Sequence, residues 1–142
     1  MGFIFVFLGM FVLAVALTIK GAFVFLPAIV IFVMAPLLDR ALPLATSNAT
    51  LPRATHVLPY IFVPLHLAVL GWAVVVISKG DLLWWERASL TVGTGFGTAL
   101  AINVAHELMH RRGRVEQSLA AVLMMSASYP HFCIEHIYGH HK

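Results

Sequence analysis

The stretch VLPYIFVPLHLAVLGWAVVVIS, Val57–Ser78, decides the fold. It holds 22 residues without a lysine, arginine, aspartate or glutamate, and His66 is its one histidine. A helix rises about 1.5 Å per residue, so a run of about 17–25 apolar residues crosses a hydrocarbon layer about 30 Å thick. Three further stretches have a similar character: Gly2–Ile19, Ala22–Leu38 and Ala88–Ala105. Backbone groups in lipid must find partners within their own segment, so each stretch is expected to be helical. The bulk numbers agree. The chain is 61% hydrophobic and 11% charged, with a mean hydropathy of +0.92. Soluble domains carry about 25% charged residues.

Outward from these spans, the polar punctuation sets the topology. Lys20-Gly21 is too short for anything but a tight connection, which predicts an antiparallel hairpin of the first two helices. The break from Asp39 to His56 reads as an ordered loop or interfacial segment, and its Asn48-Ala49-Thr50 sequon as a chance match. A fifth apolar stretch, Ser118–Ile134, is interrupted by Pro130 and His131 and is expected at the membrane face or as a partial re-entry. The expected fold class is therefore an all-α integral membrane protein, a bundle of about four transmembrane helices with a short C-terminal interfacial helix. The first span lacks a basic leader and a small-residue cleavage site, so it does not read as a cleaved signal peptide. No repeat or linker divides residues 1–142.

Arg111, Arg112 and Arg114 follow the fourth span directly. Setting that end in the cytoplasm places Arg40 and Arg53 on the same side, with Lys20, Lys79 and Arg87 opposite, a positive-inside bias. Trp84 and Trp85 then mark the outer interface. The net charge of +3 is thereby explained as topology signal, and no nucleic-acid partner is expected. Cys133 is the single cysteine, which excludes an intrachain disulfide.

Two histidine clusters carry the chemistry. His106 and His110 are four residues apart, so on a helix they share one face, with Glu107 on another. His136 and His140 repeat that spacing, and His141 adds a further imidazole. Imidazole suits zinc, iron, copper and nickel alike, so ligand type alone leaves the metal open. His-Glu-x-x-His is also the zinc-protease motif, with two ligands and a general base. That reading leaves His136, His140 and His141 unused, and a dinuclear iron site accounts for more of them. His66 and His56 lack ligand-spaced neighbours and read as structural; His131 stands near the second cluster but outside its pattern. Cys133 and Met124-Met125 read as apolar filling, and Tyr138 as an interface anchor or a cap on the site. The Gly93-x-x-x-Gly97 step reads as close helix packing, or as room for a thin apolar substrate.

Asn103-Val104-Ala105-His106-Glu107-Leu108-Met109-His110-Arg111 resembles the first histidine box of the integral-membrane alkane 1-monooxygenases. The run from Tyr129 to His141, with Glu135-His136-Ile137-Tyr138-Gly139-His140-His141 at its end, resembles the second. Both belong to the wider membrane desaturase and hydroxylase superfamily. The resemblance implies that residues 1–142 are the N-terminal part of a single membrane-embedded domain of that type. It implies a non-haem diiron monooxygenase that hydroxylates the terminal carbon of an alkane with O2. Electrons would come from rubredoxin and rubredoxin reductase at the cytoplasmic face of a bacterial inner membrane.

By position, His106, His110, His136, His140 and His141 are implied iron ligands. Glu107 and Glu135 are implied acceptors that orient imidazole N–H groups. Relatives of this type carry later histidine boxes, so residues 1–142 alone are expected neither to hold a stable two-iron site nor to turn over substrate. Alternatives in the same pattern are a membrane fatty-acyl desaturase and an intramembrane zinc protease using His106, His110 and Glu107.

Overall fold

A computed structural model describes residues 2–34, 36–37, 40, 56–136 and 139. Among them every regular element is a helix, and turns join the elements. The elements are α1 (Gly2–Ile19), α2 (Leu26–Ile29), α3 (Leu58–Ser78), α4 (Trp84–Met109), α5 (Arg114–Ser126) and α6 (Phe132–Glu135). Two of these, α3 and α4, are long and apolar enough to cross a membrane. Only 28% of the apolar window of α3 and 33% of that of α4 is buried inside the bundle. A core helix of a soluble protein would bury most of such a window, so these surfaces call for an apolar surrounding. The protein is a membrane-associated helical bundle.

The second apolar stretch departs from the single helix expected over Ala22–Leu38. It runs as a 3-10 turn (Gly21–Phe25), the single α-turn of α2 and a π turn (Val30–Met34). Pro27 lies in the first turn of α2 and has no N–H to donate, which breaks the regular hydrogen-bond ladder there. The reversal ahead of it puts Lys20 at φ 58° and Gly21 at φ 56°. Glycine takes that conformation freely, whereas at Lys20 it must be held from outside.

The buried carboxylate of Glu86 grips this turn. Its Oε1 accepts the Gly21 N–H at 2.7 Å and its Oε2 accepts the Leu83 N–H at 3.0 Å. Leu83 is the N-cap of α4, so Glu86 satisfies one of the orphan donors at that end. Ser89 adds a 2.8 Å bond to the Val24 carbonyl, and Phe25 stacks on Trp85.

Helix α4 is the spine of the bundle and touches α1, α2, α3 and α5. Its inward stripe Gly93, Gly97, Ala101, Val104, Ala105 and Leu108 follows the three- and four-residue helical step. The small residues are where α1 and the second stretch come closest. A Cβ on Gly97 would stand 2.8 Å from Met10 Cε, and one on Gly93 would stand 3.2 Å from Pro27. The close-packing reading of Gly93 and Gly97 therefore accounts for both. Thr91, Thr94 and Thr98 turn their hydroxyls onto carbonyls four residues back, which lets them sit in an apolar helix without outside partners.

The fifth stretch is a helix, a reversal and a short helix. Helix α5 packs along α4 and α3 and ends at Ser126, and Ser128 turns the chain at φ 56°. Helix α6 then leads to His136. The Asn48 sequon, Arg53 and most of the Asp39–His56 loop lie outside the described residues, as do Tyr138, His140 and His141.

Candidate metal centre

His106 and His110 stand on the last turn of α4, where the helix continues to Met109 and His110 is its C-cap. Regular helix therefore brings both imidazoles to one face. Their Nε2 atoms are 3.3 Å apart. His136 arrives at the end of α6, and its Nε2 lies 3.4 Å from that of His110. The candidate ligand atoms of the three residues all fall within 4.8 Å of one another. The rings meet edge to face, with centroids 4.5 to 5.3 Å apart.

This spacing fits a cation. A metal that holds imidazoles at about 2.0–2.1 Å in a tetrahedral shell keeps adjacent nitrogens about 3.3–3.4 Å apart. An octahedral shell brings them only slightly closer, so the distances admit a metal without choosing one. His106 and His136 are half-buried and His110 is exposed. These three histidines form a group able to coordinate a metal ion. His140 and His141 lie outside the described residues.

An aromatic stack orients the third imidazole. Phe132 stacks on His136 at 5.0 Å, Tyr129 stacks on Phe132 at 5.3 Å, and His131 lies edge-on to Tyr129 at 4.4 Å. His131 is exposed at the far end of this stack, outside the group of three. Cys133 is half-buried against the core, and burial pushes its thiol up, which suits an unreactive packing residue.

Glu107 uses one carboxylate oxygen to pair with a basic neighbour. Its Oε1 accepts from Arg111 Nη2 at 2.8 Å. Arg111 also donates Nη1 to the His56 carbonyl at 2.9 Å and lies 5.8 Å from the Tyr60 ring centroid. The Tyr60 hydroxyl in turn donates to Glu116 Oε1. One guanidinium thus ties the end of α4 to the start of α3, and Tyr60 ties α3 to the start of α5. In the sequence Arg111 stands in a basic run and at the end of the first histidine-rich motif, and Tyr60 and Glu116 carry no motif. Nothing in their spacing signals the link, because the partners are 55 and 56 residues apart. Glu135 is exposed at the end of α6.

Comparison with known proteins points the same way. Alkane 1-monooxygenase of Pseudomonas putida is 33% identical over 90 residues, which is 63% of this chain and 22% of that protein. The enzyme of that name from Acinetobacter baylyi is 30% identical over 132 residues, covering 87% of this chain and 32% of the relative. Alkane 1-monooxygenase 2 of Pseudomonas aeruginosa is 30% identical over 127 residues, covering 79% and 33%. No family model matches the chain. The chain spans about a fifth to a third of the length of these curated relatives.

Proposed function

We propose that this chain, matched at the family level to alkane 1-monooxygenases, contributes the first two histidine boxes of a non-haem diiron monooxygenase. The observation that carries the reading is the convergence of His106, His110 and His136 at metal-ligand spacing, in a chain similar to those enzymes. Together with His140 and His141, they are the iron ligands this chain supplies. Two irons bound there would activate O2 for hydroxylation of a terminal alkane carbon.

The residues of this chain have distinct tasks in that reading. The three clustered imidazoles hold the metal and set its distance from the end of α4. Glu107 and Glu135 orient imidazole N–H groups. Because Oε1 of Glu107 is engaged by Arg111, Glu107 would reach an imidazole through Oε2. The Arg111–Arg114 run lies on the cytoplasmic face and offers positive charge to an acidic electron donor such as rubredoxin, itself reduced by its reductase. The surrounding lipid delivers the apolar substrate.

The test is metal analysis of the membrane-purified protein expressed with its complete reading frame, followed by turnover with an alkane, a fatty-acyl lipid and a peptide. Iron with terminal alcohol formation is the expected result. Zinc with peptide cleavage, or iron with an acyl double bond as product, would replace this reading by a protease or a desaturase.

A further inference from the structure

His66 lies in the middle of α3, is 2% exposed, and has no part in the metal cluster. Burying an imidazole among apolar side chains is costly unless its polar atoms are used. Among the described residues its single side-chain hydrogen bond joins Nε2 to Ser126 Oγ, at 3.0 Å. The direction of that bond follows from Ser126. The serine hydroxyl has one hydrogen and donates it to the Leu123 carbonyl at 2.6 Å, so its oxygen accepts and His66 Nε2 carries the proton. The ring plane is fixed as well, by stacking on Phe62, which meets Phe7 edge-on.

Ser126 is the last residue of α5, ten positions before His136. The intervening chain has little slack. Ser128 N–H bonds to the Met125 carbonyl at 3.0 Å and Tyr129 N–H to the Met124 carbonyl at 2.9 Å. Phe132, Cys133, Ile134 and Glu135 each donate back to residues 129–131. The Tyr129–Phe132–His136 stack then runs to the third imidazole. A shift of Ser126 along α3 would be carried through this rigid reversal to His136.

We infer that His66 is a positioning residue: its Nε2–H pins the end of α5 against α3 and so sets where His136 stands opposite His106 and His110. The inference rests on the reading of that cluster as a metal site. It predicts that a residue remote in sequence from both boxes controls their geometry. Outer partners that orient metal ligands typically change affinity by about 10- to 100-fold when removed.

The experiment uses the full chain in lipid nanodiscs, with Co2+ as the probe and its visible ligand-field bands as the readout. His66→Leu and Ser126→Ala should each weaken Co2+ binding about tenfold and alter the bands, and the double variant should be no worse than either alone. His66→Gln keeps an N–H donor at similar reach and should restore binding to within about threefold of the parent. Glu86→Gln perturbs the far end of α4 and serves as the comparator for general loosening; it should leave Co2+ affinity and bands unchanged. If His66→Leu fails to fold, Ser126→Ala carries the test. Parent-like affinity and bands in Ser126→Ala and His66→Leu would overturn the inference while leaving the metal site intact. Absence of Co2+ uptake by the parent chain would overturn the metal-site reading, and the inference with it.

Discussion

The phenol of Tyr60 on α3 donates to Glu116 Oε1 on α5 across 2.5 Å, joining two helices whose partners lie 56 residues apart. That hydrogen bond, with help from the backbone N–H of Glu116, holds the Glu116 carboxyl below its ordinary value of 4.5. A carboxylate with a depressed folded-state pKa stabilises the fold above the ordinary value and loses that contribution as pH falls through the folded value. The docking of α5 should therefore loosen on acidification below about pH 4.5. Amide exchange of residues 114–126 across a pH series reads this directly, and Tyr60→Phe should flatten the acid dependence.

Removal of a clustered histidine tests the metal centre itself. His106→Ala, His110→Ala and His136→Ala should each reduce uptake of a divalent metal by well over tenfold, since a three-imidazole group would drop to two. His131→Ala should change it far less, because His131 sits against Tyr129 rather than in the cluster. Equilibrium dialysis followed by elemental analysis distinguishes the two outcomes.

Arg111 makes two hydrogen bonds of different worth. Its pairing with Glu107 is half exposed on the carboxylate side, and such pairs contribute about 0–1 kcal/mol. Its bond to the His56 carbonyl and its stacking by Tyr60 link separate helices. Arg111→Ala should therefore destabilise by about 1–3 kcal/mol, clearly more than Glu107→Ala. A double-mutant cycle on the two should give a coupling below about 1 kcal/mol.

Glu86 holds two backbone donors at once. Glu86→Ala would strand the N–H groups of Gly21 and Leu83, each stranded group costing about 1–3 kcal/mol. A marked drop in thermal midpoint is expected, with faster exchange at Gly21. Conversion of Gly21 to alanine should also destabilise, because its φ of 56° disfavours a Cβ.

Glycines along α4 should separate by face. Gly97→Val would push a side chain into Met10 and Leu13, an overpacking worth about 1–3 kcal/mol. Gly95→Ala meets nothing within 4 Å and should stabilise the helix by up to about 1 kcal/mol. Thermal denaturation in one detergent compares them.

What the sequence determined by itself is what a single helix carries along its own length. Val57–Ser78 is apolar for 22 residues, so a helix over Leu58–Ser78 long enough to cross a membrane follows from the sequence alone. His106 and His110 are four apart on a helix that runs to Met109, so their shared face follows from the 3.6-residue turn. Gly93 and Gly97 mark close packing for the same reason. Local backbone chemistry was harder to read: the second apolar stretch is apolar enough for one helix, yet Pro27 breaks it into three kinds of turn. Tertiary structure alone decided how far each helix slides and rotates against the next. That choice brings His136 to His110, Ser126 to His66, Glu116 to Tyr60 and Glu86 to Gly21. No periodicity encodes these pairs, because each joins two separate elements and depends on how those elements pack rather than on the pitch of either one.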